Sequence, residues 1–335
     1  MKTTKLYKTY NIIIRSIIIV ISLAFLYRQL YVKQDFNSLI SDISNILNTE
    51  GIWWLILCSL ALMPLNWSIE ALKWRYILQN KEKISVLLAI KAVFSGATIS
   101  AVSPNRIGDY LGRVFVLKKT KFWEGVLITL IGSYAQTLVT LIFGGIVFFS
   151  FIGPKMIEYN YLSSMQSEVI RYVLVIGLLI GIVFYFRISL LVRIIPLKWK
   201  RVHKYVEIFK QYTSKQLSIT LLFSTIRYFV FSVQFYLLFL AVGLSEISFI
   251  TGLGLISGIF LINTLRPSIA LLEIGIRGSV AVFVFGLYFG FETNLDNAVF
   301  TASTLIWLIN IILPAIIGLF FVKDLRFFKS KKIND

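Results

Sequence analysis

Long apolar stretches alternate along this chain with short charged segments. A helix needs about 20 apolar residues to cross about 30 Å of hydrocarbon. On that scale full crossings fall at about 11–31, 52–78, 123–152, 169–186, 217–242 and 298–322. Two further apolar stretches, at about 85–117 and 248–291, are broken by a proline and flanking charges and read as hairpins. The pattern predicts an all-α, polytopic integral membrane protein of about eight helical units, forming a single membrane domain over residues 1–335.

Loop charge orients these pieces, because short cytoplasmic loops collect Lys and Arg. The basic places are the N-terminus, Lys73 to Lys83, Lys118 to Lys121, Arg187 to Lys215 and the tail from Lys323. The loops at about 32–51, 153–168, 243–247 and 292–297 are nearly free of basic residues and carry Asp35, Asp42, Glu50, Glu158, Glu246, Glu292 and Asp296. Both termini are therefore expected in the cytoplasm. Hairpin 85–117 then has to enter and leave on the cytoplasmic side, and hairpin 248–291 on the outer side.

The hairpins also match each other. Their first arms, Ser85 to Pro104 and Ser248 to Pro267, begin with Ser, end at Pro and are offset by 163 positions. The same shift lays helix 11–31 on 169–186, 52–78 on 217–242 and 123–152 roughly on 298–322. Each half becomes helix, helix, re-entrant hairpin, helix, with repeat one at about 11–152 and repeat two, inverted, at about 169–322. Many secondary transporters follow this plan, with substrate bound near the midplane between the repeats.

Composition narrows the class. With 57% hydrophobic and only 15% charged residues, the chain cannot be wrapped around a soluble core. The formal charge of +18 is spread over short segments between apolar runs. That spacing argues against nucleic acid and for contact with anionic lipid headgroups as partners. A single cysteine, Cys58, excludes an intramolecular disulfide, and a single histidine, His203, excludes a His-rich metal site. No metal and no cofactor are expected. Lys2, Lys5, Lys8 and Arg15 precede an apolar stretch that runs to about Tyr31 without a small-residue cleavage site, so this stretch reads as a retained first helix.

Candidate chemistry gathers at the hairpin turns. The first reads Ser-Pro-Asn-Arg-Ile-Gly-Asp-Tyr-Leu-Gly-Arg from Ser103 to Arg113, and the second Arg-Pro-Ser-Ile-Ala-Leu-Leu-Glu-Ile-Gly-Ile-Arg from Arg266 to Arg277. In each, an acid precedes an arginine by four residues, Asp109 with Arg113 and Glu273 with Arg277, a spacing that allows pairing on one helical face. Ionisable groups at membrane depth are costly and mark functional cavities by default. Half-helix N-termini after Pro104 and Pro267 favour a phosphate or carboxylate. Arg106, Asp109, Arg113, Arg266, Glu273 and Arg277 are thus the candidate substrate-binding residues. Pro104, Gly108, Pro267 and Gly275 shape the turns. The alternative is that the acid–arginine pairs only brace the hairpins.

Glu70, Lys73 and Arg75 on the second crossing are candidate partners from the facing wall, or snorkelling residues near its cytoplasmic end. Tyr134 and Gln136 in the middle of helix 123–152 either line the cavity or hold helices together. From Arg187 to Lys215, Trp199, Val202, Val206, Phe209 and Tyr212 recur at helical spacing among basic residues. This segment reads as an amphipathic helix on the inner leaflet, with His203 on its solvated face.

The segment from Pro104 to Arg113 resembles the Pro-x-Arg-x-Gly-Glu-x-x-Arg signature of the transmembrane region of lysylphosphatidylglycerol synthases and their flippase-like relatives. Pro267 and Glu273-Ile-Gly-Ile-Arg-Gly resemble that family's second signature. The resemblance covers essentially the whole chain in layout. It implies the lipid-handling portion without the aminoacyl-transferase domain of the bifunctional members, and so a protein that is not an enzyme. By position it points to Pro104, Arg106, Gly108, Asp109, Arg113, Pro267, Glu273 and Gly275. Asp109 stands where the commoner residue is glutamate, Ser268-Ile-Ala where many members have glycines, and Ser133-Tyr134-Ala135-Gln136 where an acidic-basic segment is usual.

The expected work is binding and translocation of an anionic or aminoacylated phospholipid between leaflets of the inner or plasma membrane, beside a lipid-modifying enzyme as partner. The alternatives are a membrane subunit or enzyme acting on lipid-linked intermediates by glycosyl or aminoacyl transfer, and a scaffold that transports nothing.

Overall fold

In the computed structural model the described residues are 52–103, 107–196, 198–265, 273–291 and 295–322, with a few helical positions between 10 and 24. The first crossing at about 11–31 lies largely outside them. All regular structure among the described residues is helical. In chain order it comprises α1 (Trp53–Leu78), α2 (Val86–Val102), α3 (Gly108–Val114), α4 (Phe122–Val147), α5 (Gly153–Glu158), α6 (Ser164–Phe186), α7 (Leu190–Ile194), α8 (Lys200–Val206), α9 (Ser214–Ala241), α10 (Phe249–Leu265), α11 (Glu273–Phe289), α12 (Asp296–Trp307) and α13 (Leu313–Val322). Five helical runs are long and apolar enough to cross a membrane: 53–78, 122–158, 164–186, 214–241 and 296–322.

Two of these runs are made continuous by a π-helical turn, Phe148–Ile152 between α4 and α5 and Leu308–Ile312 between α12 and α13. Pro154 and Pro314 follow within two residues of the turn. A proline offers no N–H to the i→i−4 ladder, and widening one turn to a π-bulge absorbs the defect.

The antiparallel pair α1 and α9 forms the centre of the bundle. Their neighbouring ends are tied together, for Asn80 donates to the carbonyl of Gln211 and the Tyr212 hydroxyl donates to the carbonyl of Ile77. At this end the first hairpin is rooted. The Glu82 carboxylate accepts the backbone N–H groups of Lys118, Lys119 and Thr120 at 2.9–3.0 Å, together with the Thr120 hydroxyl. The segment that enters as α2 therefore leaves, after α3, on the side where it began. Partial burial disfavours the charged form of Glu82, but these donors outweigh it and hold the carboxyl below its ordinary pKa.

The second hairpin, α10 and α11, is rooted at the other end of α9. There the Tyr236 hydroxyl donates to the carbonyl of Ile247, and Phe239 packs edge-on against Phe285 near the end of α11. The two hairpins are thus rooted at opposite ends of the α1–α9 pair. The hairpins are unequal, since the return arm has 7 residues in the first and 17 in the second.

Among the described membrane-length runs α6 is the least buried, with Tyr172, Val173, Ile176, Leu179, Ile180 and Val183 exposed. The segment 187–215 differs from the single amphipathic helix read from sequence. Pro196 interrupts it, leaving α7, α8 and a 3-10 turn at Glu207–Gln211. Val206 and Phe209 are buried in the protein core, while Trp199 and Val202 remain exposed.

Candidate functional site

Asp109 and Arg113 lie one helical turn apart on the short arm α3, and the predicted pair forms. Arg113 Nε donates to Asp109 Oδ1 at 2.9 Å and Nη2 to Oδ2 at 2.6 Å, a bidentate clasp. The arm can reach the wall because glycines remove side-chain bulk where α2 and α3 cross. A Cβ on Gly112 would sit 2.5 Å from Gly96 Cα, and one on Gly96 would sit 2.7 Å from Asp109 Oδ1. Gly108 is buried against the Ile99 backbone, and its N–H donates to Ser103 Oγ at 2.8 Å.

From this position Arg113 extends Nη1 to Glu70 Oε1 on α1, 2.7 Å away. Glu70 is the hub of the arrangement. Its Oε2 lies 2.7 Å from Lys73 Nζ and 3.2 Å from Arg227 Nη1 on α9. Glu70, Lys73 and Arg113 are 5%, 1% and 4% exposed, so the charges neutralise one another inside the protein, not at its surface. The Arg227 guanidinium also lies 5.8 Å over the ring of Trp67. Counting about 1.5 Å per residue, Glu70 stands about 12 Å from the Leu78 end of α1 and Arg227 about 20 Å from the Ser214 end of α9, within the apolar runs 53–78 and 214–241.

The network lines a cavity of about 390 Å³ between the hairpins. Asp109, Tyr110 and Arg113 from the first hairpin and Asn263, Thr264 and Arg277 from the second face Trp67, Glu70, Lys73 and Arg227 across it. Ser133, Gln136 and Thr137 on α4 complete the wall. The described lining residues include the carboxylates of Glu70 and Asp109 and the cationic groups of Lys73, Arg113, Arg227 and Arg277. Two buried tryptophan N–H groups, of Trp67 and Trp307, have no acceptor among the described residues. Trp67 is on this cavity.

Of the residues singled out from sequence, Asp109, Arg113 and Arg277 are brought together at this cavity, with Glu70, Lys73 and Gln136 beside them. Tyr134 is not on it. Two positions from Gln136 it faces the other way, and its hydroxyl donates to the carbonyl of Gly181 at 2.7 Å, joining α4 to α6. Arg75 turns outward to donate to the carbonyl of Ile84. Gly275 lies on the exposed face of α11 with nothing within 4 Å of a Cβ built there. Arg106, Pro104, Arg266 and Pro267 lie outside the described residues, as does the side chain of Glu273.

Arg227 was absent from the sequence reading. The signal was available, since it is the single Lys or Arg of the membrane run 217–242. Attention to loop charge and to the hairpin turns passed over it.

The family model of the lysylphosphatidylglycerol synthase TM region matches residues 12–318, nearly the whole chain. The chain belongs to this family. Membership makes it a membrane protein associated with lipid modification or flipping, and the short signatures around Asp109 and Glu273 sit inside the matched span. No curated protein matches the sequence.

Proposed function

We propose that this member of the lysylphosphatidylglycerol synthase TM region family binds the anionic headgroup of a lipid in the cavity between its two hairpins and carries it between leaflets. The observation that carries the reading is the charged cavity of about 390 Å³ at membrane depth, walled by both hairpins and by α1, α4 and α9. Charged groups are kept in such a place at a cost of several kcal/mol unless they are paired or solvated, and function is the default reason to keep them.

In this reading Lys73, Arg113, Arg227 and Arg277 receive the phosphate while Glu70 and Asp109 hold the cations apart and oriented. Acyl chains stay in the bilayer. Arg106 and Arg266 at the turns would guide the headgroup, and the two halves would rock about the pair α1 and α9 to alternate access. The reading places the protein in the inner or plasma membrane with both termini in the cytoplasm, and needs no covalent step.

Support for the two-fold plan comes from matched details. Ser85 and Ser248 both cap the entering arm of their hairpin, each accepting an N–H three residues on at 3.2 Å. Each entering arm packs on the last crossing of the opposite half, α2 on α13 and α10 on α4. Both last crossings carry a π turn followed by a proline.

The test is leaflet translocation of labelled phospholipids in liposomes containing purified protein, comparing wild type with Arg113→Ala and Glu273→Gln. Transport by wild type that both substitutions abolish supports the reading. Failure of wild type to move any anionic phospholipid overturns it.

A further inference from the structure

We infer that the chain docks on the surface of an anionic lipid leaflet through the two short helices α7 and α8, with Ile194, Trp199 and Val202 entering the headgroup layer and the cations around them meeting lipid phosphates. The segment joins Phe186, the end of one membrane-length run, to Ser214, the start of another. Chain connectivity therefore keeps it at the bilayer surface. α7 has 5 residues and α8 has 7, and Pro196 parts them, so neither can cross. Yet Ile194 is 61%, Trp199 55% and Val202 44% exposed. On the long crossings lipid chains cover such residues. Here the cover has to be the boundary between headgroups and acyl chains, where amphipathic helices lie and where tryptophan is enriched.

Charge names the leaflet. Arg193, Lys198, Lys200 and Lys204 are exposed and interspersed with the three apolar residues. No Asp or Glu occurs from Arg193 to Lys204. Cations so placed are drawn to anionic headgroups and not to zwitterionic ones. At the opposite end of the bundle Lys155 and Arg171 are instead paired with Glu158 and Glu168. The footprint also differs from the stripe read from sequence, for Val206, Ile208 and Phe209 are buried and anchor the segment in the protein. Next to them Gln211 and Tyr212 are bonded to Asn80 and Ile77. A leaflet that holds α8 thus bears on the end of α1 that roots the first hairpin.

The experiment places one reporter on the footprint. With the lone Cys58 changed to serine, Val202→Cys is labelled with an environment-sensitive fluorophore. The full-length protein is then put in nanodiscs of phosphatidylcholine, alone or mixed with phosphatidylglycerol. With phosphatidylglycerol the emission should shift to the blue, and quenching by lipids spin-labelled near the headgroup should rise about twofold or more over phosphatidylcholine alone. Salt at about 1 M should remove most of that rise, because it shortens the screening length to about 3 Å. Lys198→Gln, Lys200→Gln and Lys204→Gln combined should remove it too. Ile194→Cys is the second reporter, for use if the first does not fold. A label quenched equally by lipid in both compositions overturns the choice of an anionic leaflet, as does a rise that survives the three substitutions. A label open to an aqueous quencher and untouched by lipid quenchers in both compositions overturns the inference and assigns the patch to an acidic protein.

Discussion

The two hairpins enter the bundle from opposite ends and are held there by different physics. The first is fixed by directional contacts: the clasp of Glu82 on the 118–120 backbone, the bidentate Asp109–Arg113 pair, the reach of Arg113 to Glu70, and the Thr98 hydroxyl on the carbonyl of Ala315 at 2.7 Å. Among the described residues the second carries, beside the hydroxyl of Tyr236 on the Ile247 carbonyl and that of Tyr228 on Ser257 Oγ at 2.7 Å, many contacts between aromatic rings. Phe260 stacks on Phe231 at 5.1 Å, Phe239 meets Phe285 at 4.7 Å, and the Phe300 ring fills the space over Gly278. Hydrogen-bonded ion pairs have one good geometry, whereas ring contacts tolerate sliding. Among the described residues the first hairpin is therefore the more sharply specified of the two.

Breaking the ion hub should separate the two most strongly. Glu70→Gln leaves Lys73, Arg113 and Arg227 without their shared counter-charge, and removing one partner from a buried network costs about 3–5 kcal/mol. Thermal unfolding of the purified protein should show a fall of several degrees, with translocation lost. A smaller effect is expected where the arms of the first hairpin touch. Gly112→Ala places a methyl 2.5 Å from Gly96 Cα, and overpacking of this kind costs about 1–3 kcal/mol. The same assay reads it.

The Glu82 clasp sharpens the comparison through pH. Glu82→Gln weakens the charge-assisted bonds to three backbone N–H groups and should cost about 1–2 kcal/mol. The native carboxyl is held below the ordinary carboxylate range, so its contribution is fully present above that range, about pH 4.3, and is lost as pH falls through the depressed folded value. Thermal unfolding scanned over acid pH should show this dependence in wild type and less of it in the variant. The smallest effect belongs to the second hairpin. Gly275→Ala meets nothing within 4 Å and replaces a helical glycine, so stability should hold or rise by up to about 1 kcal/mol.

Much of this was legible in the chain. Spans and hairpins emerged because apolar length and loop charge respond to the bilayer directly, and the Asp109–Arg113 pair because i,i+4 spacing is local. The cavity wall was less legible, since it is assembled by long-range packing. Glu70 could be flagged as a candidate, but that its carboxylate would collect Arg113 and Arg227 follows only from α1 lying between α3 and α9. Tyr134 and Gln136 were grouped by polarity although two positions along a helix point to different sides. The segment 187–215 had the period of one amphipathic helix, yet Pro196 breaks it, and Val206 and Phe209 turn to the protein instead of the membrane.

The site's dependence on Arg227 is the most exposed point of the account. The measurement is the initial rate of labelled phosphatidylglycerol translocation in liposomes by Arg227→Gln, with protein first shown to unfold cooperatively near the wild-type temperature. The account predicts loss of nearly all transport from a protein that is still folded. A folded variant that moves the lipid at the wild-type rate would contradict it.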